Sequence, residues 1–528
     1  MEHNVILAVI LILVICLLTM LSNKIKVAYP ILLILAGLLL GFIPDMPKIE
    51  IDPELIFLVF LPPILYEAAV NNSWKELWRW RRIICSFAFV VVVITASVVA
   101  FIANQFIPGF SIALGFLLGG IVSPPDAVSA AAIMKFVKVP KRLAVLLEGE
   151  SLFNDASSLI IVKFALIAVG TGQFVWYEAA GTFLWMVVGG VGLGVLISIL
   201  FNQMHKILPM DENINTVFSL VTPYIMYISA EAVGASGVLA VVSGGLYFSY
   251  RSVLFIRSSS RLRAQSVWSY LIFLLNGFAF LLIGLDLPEI IASLKADGVS
   301  LWTAVGYGVL VTAALIVCRI LCAYAAVVVT MVMSRFITVA DRRNPGKGAP
   351  LILGWTGMRG VVSLAAALSI PLTVTGQQVA FPERSMILCI TFIVILLTLV
   401  LQGLSLPVLL KHLHFPDFGD HLSEEETARI IRKGLAQTSI DYLKDRNLCP
   451  SIEQNKVINN MVSHWIEQIS NEEVRSLYGD ARDIYISILE QQRLWLYRLN
   501  NENPMIEKEI IYHYIHRIDL EEERMLKE

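Results

Sequence analysis

Residues 146–166 read LLEGESLFNDASSLIIVKFAL, and this stretch decides how the rest of the chain is interpreted. Most of it has the apolar character of a membrane-spanning helix, yet it contains four charged side chains: Glu148, Glu150, Asp155 and Lys163. An ionisable group at the centre of a bilayer costs about 3 kcal/mol or more, so such groups are rare and tend to be functional. The stretch therefore predicts a membrane helix whose function depends on its charges.

The composition of the whole chain supports a membrane protein. Of its 528 residues, 57% are hydrophobic and 16% are charged, and the mean hydropathy is +0.73. Soluble domains are about 25% charged. The apolar residues also occur in runs of bilayer length. We predict an all-α polytopic protein of about 13 transmembrane helices, at residues 4–22, 28–44, 54–72, 83–106, 111–134, 144–170, 177–203, 214–232, 235–250, 266–286, 301–334, 350–372 and 384–410.

Basic residues are distributed unevenly between the loops that join these helices. Twenty lie on one set of loops, and three, Lys48, Lys295 and Arg384, lie on the other. Loops rich in Lys and Arg face the cytoplasm, which places the N-terminus outside and the C-terminal tail inside the cell. We therefore expect a multi-pass protein of the plasma membrane, which is the inner membrane in a bacterium.

The chain divides after about residue 412 into two regions of opposite charge. Residues 417–528 contain 22 of the 42 acidic and 14 of the 40 basic residues, a net charge of −8, which leaves +6 for residues 1–416. The segment SEEETARIIRKGL (423–435) combines a Ser cap with early acids, a pattern typical of a helix start. We predict a transmembrane domain at 1–412 and a cytoplasmic helical domain at 417–528.

The sixth predicted span aligns several oxygen-bearing side chains. Glu148, Ser151 and Asp155 share one helical stripe, with Glu150 and Asn154 on the stripe beside it. Asp155 should lie about 10 Å further along the axis than Glu148, well inside the apolar layer. A carboxylate with hydroxyl and amide oxygens beside it is a hard donor set that suits a small alkali cation.

Two other spans contain helix breakers. In the fifth span, Pro124 and Pro125 precede Asp126, and two successive prolines interrupt a helix and free carbonyl groups. The twelfth span contains Gly354, Gly357 and Gly360, which permit an interruption or very close packing. A pair of interrupted spans in corresponding halves of a transporter indicates its binding site.

The remaining charges within spans need partners. Arg319 is deeply embedded, and Glu150 is its best candidate partner, with Glu148 next. A buried pair of this kind favours a structural role.

Glu67, which follows Pro62 and Pro63, either lines the ion path or pairs with Arg359. Lys163 either extends towards the interface or pairs with an acid on a neighbouring helix. Glu231 and Asp286 are expected near the interfaces.

Four segments resemble the signatures of a known family. They are FLPPILYEAA (60–69), SPPDAV (123–128), GESLFNDASS (149–158) and GMRGVVSLAAALSIP (357–371), in order along the transmembrane region. They resemble bacterial sodium/proton antiporters of the NhaP type, in the first cation:proton antiporter family, to which the eukaryotic sodium/proton exchangers belong. The resemblance covers residues 1–412 and does not extend clearly into the tail.

The resemblance implies a fold of thirteen spans related by inverted repeats, with a six-helix core domain, two broken helices that cross, and a dimerisation domain. It implies that Asp155 binds the cation or the proton, that Asp126 and Ser151 complete the alkali-cation site, and that Pro125 offers its main-chain carbonyl. Asn154 resembles the residue of the electroneutral branch of the family. Relatives that move net charge have Asp at this position. Glu150 with Arg319 or Arg359 would be the stabilising ion pair. Pro125 departs from the Thr of many relatives, which leaves ion preference open.

Together these observations predict a secondary transporter, not an enzyme, that exchanges monovalent cations for protons by alternating access. Na⁺ is the expected cation, with Li⁺ and K⁺ left open. We expect a homodimer in the lipid bilayer with no cofactor and no nucleic-acid partner, and a role in sodium transport and pH homeostasis. The alternatives were a channel, an intramembrane aspartyl protease using Asp126 and Asp155, and a sensor. The protease is disfavoured because its Gly-x-Gly-Asp segment is missing from the sequence.

Overall fold

The fold was examined in a computed structural model. It describes residues 2–43, 57–135, 139–172, 176–208, 211–252, 258–333, 335, 346–374, 380–413, 424–445, 480–503 and 505–527. Within these ranges the protein is built from helices, and the one β contact is an isolated bridge between Thr373 and Ala380. The predicted Ser423 cap and the tail segment 446–479 lie outside the described residues. The prediction of an all-α protein is confirmed.

The helices follow one another along the whole described chain. In order they are α1 (Glu2–Ile25), α2 (Tyr29–Gly41), α3 (Leu61–Asn71), α4 (Trp74–Cys85), α5 (Val92–Phe106), α6 (Ile112–Val122), α7 (Ala127–Met134), α8 (Lys141–Thr171), α9 (Trp176–Ile207), α10 (Glu212–Ala232), α11 (Gly237–Ser252), α12 (Ser258–Leu285), α13 (Leu287–Ala296), α14 (Leu301–Met333), α15 (Gly348–Trp355), α16 (Val361–Leu368), α17 (Arg384–Leu397), α18 (Gly403–His412), α19 (Glu424–Asp445), α20 (Asp480–Glu502) and α21 (Lys508–Lys527).

Seven helical segments in the described ranges are long and apolar enough to cross a membrane, and three shorter apolar helices accompany them. Each of the thirteen predicted spans overlaps at least one helix, although the number of bilayer crossings stays a prediction. The helix of the fourth predicted span begins earlier than expected, at Trp74. Its first part, α4, is amphipathic and continues through a π-helical turn at Ser86–Val91 into the apolar α5.

Small residues bring α5 and α6 into close contact. A side chain at Gly115 or Gly119 would collide with the main chain at Ala100 or Ala96. Small residues at such positions let membrane helices approach until their backbones touch, which gains dispersion energy where lipid offers no hydrophobic driving force. The two helices therefore form a tight pair that leads directly into the break after Val122.

Both predicted interruptions occur as breaks between two short helices. Residues 123–126 separate α6 from α7, and residues 356–360 separate α15 from α16. The main-chain N–H of Asp126 donates to the carbonyl of Met358 at 2.7 Å, so the two broken segments meet at their non-helical residues. Backbone that has left the helix is tolerated at membrane depth where protein groups satisfy it, as here.

The chain separates into two compact units. The larger one contains Met1–Ile199, Leu220–Tyr247 and Trp268–Pro416. The smaller one contains Leu200–Ser219, Phe248–Val267 and Asp417–Glu528. Two stretches of the predicted membrane region therefore belong to the same unit as the tail.

The smaller unit has an apolar core and a buried ion-pair network. Its tail helices bury nine apolar side chains: Ile431, Tyr485, Ile488, Leu489, Leu496, Ile506, Ile511, Ile515 and Ile518. Asp519 is 1% exposed and pairs with Arg493 at 3.1 Å and with Arg261 of α12. This network attaches α21 to the first turn of α12 within the unit.

Candidate functional site

Asp155 lies near the middle of α8 and is 6% exposed. Within the described part of the chain, no hydrogen-bond donor or basic side chain contacts its carboxylate. A buried carboxylate is normally paired or hydrogen-bonded, because leaving it without a partner is costly. The side chain is therefore placed to take a partner that comes from outside the protein.

Asp155 opens onto a cavity of about 360 Å³, which we call the acidic cavity. Three further acids line it, namely Glu67, Asp126 and Glu148, and so does Ser151. The rest of its wall is largely apolar and includes Phe57, Phe60, Leu61, Ile64, Leu65, Ala68, Val128, Ala131, Ala132, Leu152, Ile272, Val361, Val362 and Ala365. Carboxylate and hydroxyl oxygens in an otherwise apolar cavity provide hard ligands for a cation.

Asp126 is held at the break between α6 and α7. Its carboxylate caps α7, accepting from the N–H of Val128 at 3.0 Å and of Ser129 at 3.2 Å. An acid at this end of a helix is also favoured by the helix dipole. A side chain at Gly360 would collide with this carboxylate, so glycine is required where α16 begins. The carboxylates of Asp126 and Asp155 line the same cavity, so two like charges border one enclosed space.

Asn154 and Pro125 contact each other and are not part of the acidic cavity wall. The amide nitrogen of Asn154 donates to the Pro125 carbonyl at 3.1 Å. Asn154 is fully buried, and its amide oxygen has no partner among the described residues. Of the five predicted cation ligands, the structure brings Asp155, Asp126 and Ser151 to the cavity wall and places Asn154 and Pro125 outside it.

Glu150 and Arg319 form a bidentate pair across α8 and α14. The two terminal nitrogens of Arg319 donate to the two oxygens of Glu150, each at 2.7 Å. The side chains are 1% and 2% exposed. This geometry satisfies both carboxylate oxygens, and such fork-to-fork pairs are the strong form of the interaction.

Arg359 occupies a different place from either predicted pairing. It is fully buried and donates to main-chain carbonyls: Val122 at 2.7 Å, Ser123 at 3.3 Å, and Gly357. In a continuous helix the carbonyls of Val122 and Ser123 would accept from the N–H groups of Asp126 and Ala127, but α6 ends at Val122 and the Asp126 N–H donates to Met358 instead. Among the described residues Arg359 therefore hydrogen-bonds to neither Glu150 nor Glu67, and its guanidinium supplies donors to carbonyls that the break in the helix leaves open.

The other charged residues of the sequence analysis are placed as follows. Glu67 lines the acidic cavity and accepts from Asn71 at 2.5 Å. Lys163 pairs with Glu231 of α10 at 2.9 Å, so the acid on a neighbouring helix is its partner. Glu231 also accepts from the N–H of Gly237 at 3.0 Å, at the start of α11.

Four polar residues of the cavity wall, Tyr29, Asn71, Asn72 and Asn276, were not anticipated from the sequence. Tyr29 begins α2, and Asn276 is the one amide in the apolar run LIFLLNGFAFLL (271–282). A lone amide in such a run is the only local signal that could have pointed to Asn276. Its place in the same cavity wall as Asp155 and Asp126 depends on how α12 packs and is invisible in the linear sequence.

Comparisons with known proteins agree with this architecture. Residues 10–412 match the family model described as "Sodium/hydrogen exchanger, transmembrane". An uncharacterised Na⁺/H⁺ exchanger of Mycobacterium tuberculosis (strain ATCC 25618 / H37Rv) is 31% identical over 527 residues, covering 96% of this chain and 94% of that protein. A sodium, potassium, lithium and rubidium/H⁺ antiporter of Bacillus subtilis (strain 168) is 31% identical over 445 residues, covering 82% of this chain and 65% of that protein.

A solved structure shares the fold. It is that of the sodium proton antiporter MjNhaP1 from Methanocaldococcus jannaschii at pH 8, which superimposes with a TM-score of 0.59 at 19% identity. The match covers 78% of this chain and 99% of that one. Two broken helices that meet beside buried acids, a family model that covers most of the chain and this shared fold lead to one conclusion: the chain is a membrane transporter that belongs to the sodium/hydrogen exchanger family.

Proposed function

We propose that this chain exchanges one Na⁺ for one H⁺ across a bilayer and that Asp155 binds each ion in turn. The observation that carries the proposal is the Asp155 carboxylate itself. It is 6% exposed, it lines the acidic cavity, and no donor among the described residues contacts it. A carboxylate of this kind needs a proton or a cation to lower its charge in an apolar environment.

Competition between the two ions follows from the surroundings of Asp155. The nearby charge of Asp126 disfavours a state in which both carboxylates are ionised and empty. Either a proton on Asp155 or a cation between the oxygens removes that repulsion. Both loaded states can then move past the apolar layer more easily than the empty state, and this difference couples the two fluxes.

The remaining site residues have separate roles in this proposal. Ser151 and Asp126 supply further oxygens to the cation, and Glu67 lines its path. Asn154 donates to the Pro125 carbonyl and so fixes the non-helical segment between α6 and α7 against α8. Glu150 with Arg319 is a structural ion pair, and Arg359 stabilises the freed carbonyls of the break.

The acidic cavity is proposed to be the cytoplasmic entrance to the site. Its wall includes Asn71 and Asn72 at the end of α3 and Glu148 near the start of α8. Basic residues lie close by in the chain, among them Lys75 at the start of α4 and Lys141 at the start of α8, and the basic ends of membrane helices face the cytoplasm. In this orientation the conformation is inward-facing.

We extend the proposal to the cellular context. The protein lies in the plasma membrane, the inner membrane in a bacterium, with its N-terminus outside. Residues 1–412 form the transmembrane domain, and residues 417–528 form a cytoplasmic helical domain. The family resemblance supports a homodimer. The name of the B. subtilis relative supports Li⁺ and K⁺ as further cations to be tested.

The Asp155→Asn variant tests the central assignment. Purified protein is reconstituted into vesicles with a pH-sensitive dye inside, and a Na⁺ gradient is applied. We expect Na⁺-driven proton flux in the native protein and flux at the level of empty vesicles in the variant, with unchanged yield of folded protein. Native-like flux from Asp155→Asn would refute the role of Asp155.

The same vesicles test the ion ratio. Exchange of one cation for one proton moves no net charge, so an imposed membrane voltage should leave the initial rate unchanged. A rate that changes with voltage would contradict the one-for-one ratio. Replacing Na⁺ by Li⁺ or K⁺ in the same assay gives the cation preference.

A further inference from the structure

The wall of the acidic cavity contains a polar side chain with no role in the exchange described above. Asn276 lies on α12, is 6% exposed, and shares the cavity with Asp155 and Asp126. Within the described ranges no hydrogen bond joins its amide to the protein, and the side chain borders the cavity. A buried amide without a partner costs about 1–3 kcal/mol, so its presence calls for a partner that enters the cavity.

The position of Asn276 on its helix sharpens this point. Ile272, Asn276, Ala279 and Ile283 follow one stripe of α12, and Asn276 is its one polar member. Ile272 and Asn276 line the acidic cavity, whereas Ala279 and Ile283 line a small neighbouring cavity whose described wall is entirely apolar. Asn276 is therefore the last polar side chain on this stripe before the apolar cavity.

The helix that carries Asn276 is packed firmly against the N-terminal helices. A side chain at Gly277 would collide with Ile15 of α1, and one at Gly284 would collide with the main chain of α2. Further along, Trp268 packs on Tyr66 of α3 with ring centroids 5.4 Å apart. These contacts set the position of Asn276 from helices other than those that carry Asp155 and Asp126.

We infer that the amide oxygen of Asn276 is a further ligand of the transported cation, contributed to the acidic cavity by a helix other than those that carry Asp155 and Asp126. The inference rests on the proposed function. An alkali cation that sheds water needs several oxygen ligands at once, whereas a proton needs only the carboxylate. A neutral ligand therefore favours the cation over the proton and adds no charge to the site.

This role predicts a specific kinetic signature. Removing the amide in Asn276→Ala should raise the apparent KM for Na⁺ about fivefold to tenfold, because one contact of about the strength of a hydrogen bond is lost. The maximal rate at saturating Na⁺ should stay within about twofold of the native value, because the proton still binds to Asp155 alone. A merely structural amide would lower the yield of active protein and leave KM unchanged.

Asn202→Ala provides a matched control. Asn202 of α9 is also 6% exposed, and its amide oxygen is without a partner among the described residues. It is not part of the acidic cavity wall. Truncating Asn202 should therefore change stability by a comparable amount and leave the KM for Na⁺ at the native value.

The experiment compares native protein, Asn276→Ala, Asn202→Ala and Asp155→Asn in the same vesicles, with Na⁺ varied at fixed pH. A raised KM in Asn276→Ala alone supports the inference. An unchanged KM in Asn276→Ala, or an equal rise in Asn202→Ala, overturns it while native exchange leaves the proposed function standing. Absence of exchange in the native protein would instead contradict the proposed function.

A second variant covers the case in which Asn276→Ala does not fold. Asn276→Asp keeps the size of the side chain and adds a negative charge to the cavity. If the residue faces the cation, exchange in this variant should become sensitive to an imposed voltage. Exchange by Asn276→Asp that has the native KM and no voltage dependence would overturn the inference.

Discussion

Two acids on α8, five residues apart, have opposite surroundings. Glu150 is 1% exposed, and both of its oxygens are held by Arg319 at 2.7 Å. Asp155 is 6% exposed, and none of the described residues donates to its carboxylate. Both carboxylates are removed from solvent to a similar degree, so burial does not distinguish them. The difference lies in whether the protein itself supplies the partner.

The comparison suggests how to separate structural from functional charges in a membrane. A buried charge whose partner is another part of the chain stabilises one arrangement of helices. A buried charge that faces a cavity without a partner is ready for an ion that arrives and leaves. The four variants below test this division, from the largest expected effect to the smallest.

Arg319→Ala should have the largest effect on stability. It leaves Glu150 buried and unpaired, which is expected to cost about 3–5 kcal/mol of folding free energy. A thermal unfolding scan in detergent would show a strongly lowered midpoint and little monodisperse protein. The double variant Glu150→Leu/Arg319→Leu removes both charges and should be more stable than Arg319→Ala. Equal losses in the two variants would contradict a structural ion pair.

Gly360→Ala should impair transport more than folding. The added methyl group collides with the Asp126 carboxylate, so the carboxylate must move and its cap on α7 weakens. Displacing a site group by about 1 Å can reduce activity about a hundredfold. We expect at least a tenfold lower Na⁺-driven proton flux from protein that elutes normally. Gly306→Ala, within α14 and with open space around it, is the control for the effect of the substitution itself.

Asn154→Ala should have an intermediate effect. It leaves the buried Pro125 carbonyl without its amide donor, at a cost of about 1–3 kcal/mol. The unfolding midpoint should fall less than in Arg319→Ala. Exchange should persist without voltage dependence, because the substitution changes no charge. Complete loss of exchange at native stability would indicate instead that Asn154 contacts the cation directly.

Lys163→Ala should have the smallest effect. The pair with Glu231 is 2.9 Å long, but its side chains are 49% and 34% exposed, and exposed pairs contribute about 0.2–1 kcal/mol. Stability and flux should both stay near the native values. A loss comparable to that of Arg319→Ala would show that this pair belongs with the buried charges.

The division between sequence and structure is visible in these same residues. The sequence alone determined the membrane class, the breaks at Pro124–Pro125 and at the glycines near Arg359, and the set of acids within spans. These follow from local chemistry: apolar runs need lipid, prolines remove donors, and charges are too costly to occur in a membrane without a reason. Family membership was likewise readable from four short segments.

Only the tertiary structure decided which of these charges meet. It placed Arg359 on the carbonyl groups of Val122 and Ser123, which lie far from Arg359 in sequence and next to it in space. It turned Asn154 towards Pro125 and brought Asn276 to the wall of the cavity that the acids also line. Partnership is a property of packing between helices, so the sequence determined which charges the membrane contains, and the fold decided which of them remains open to an ion.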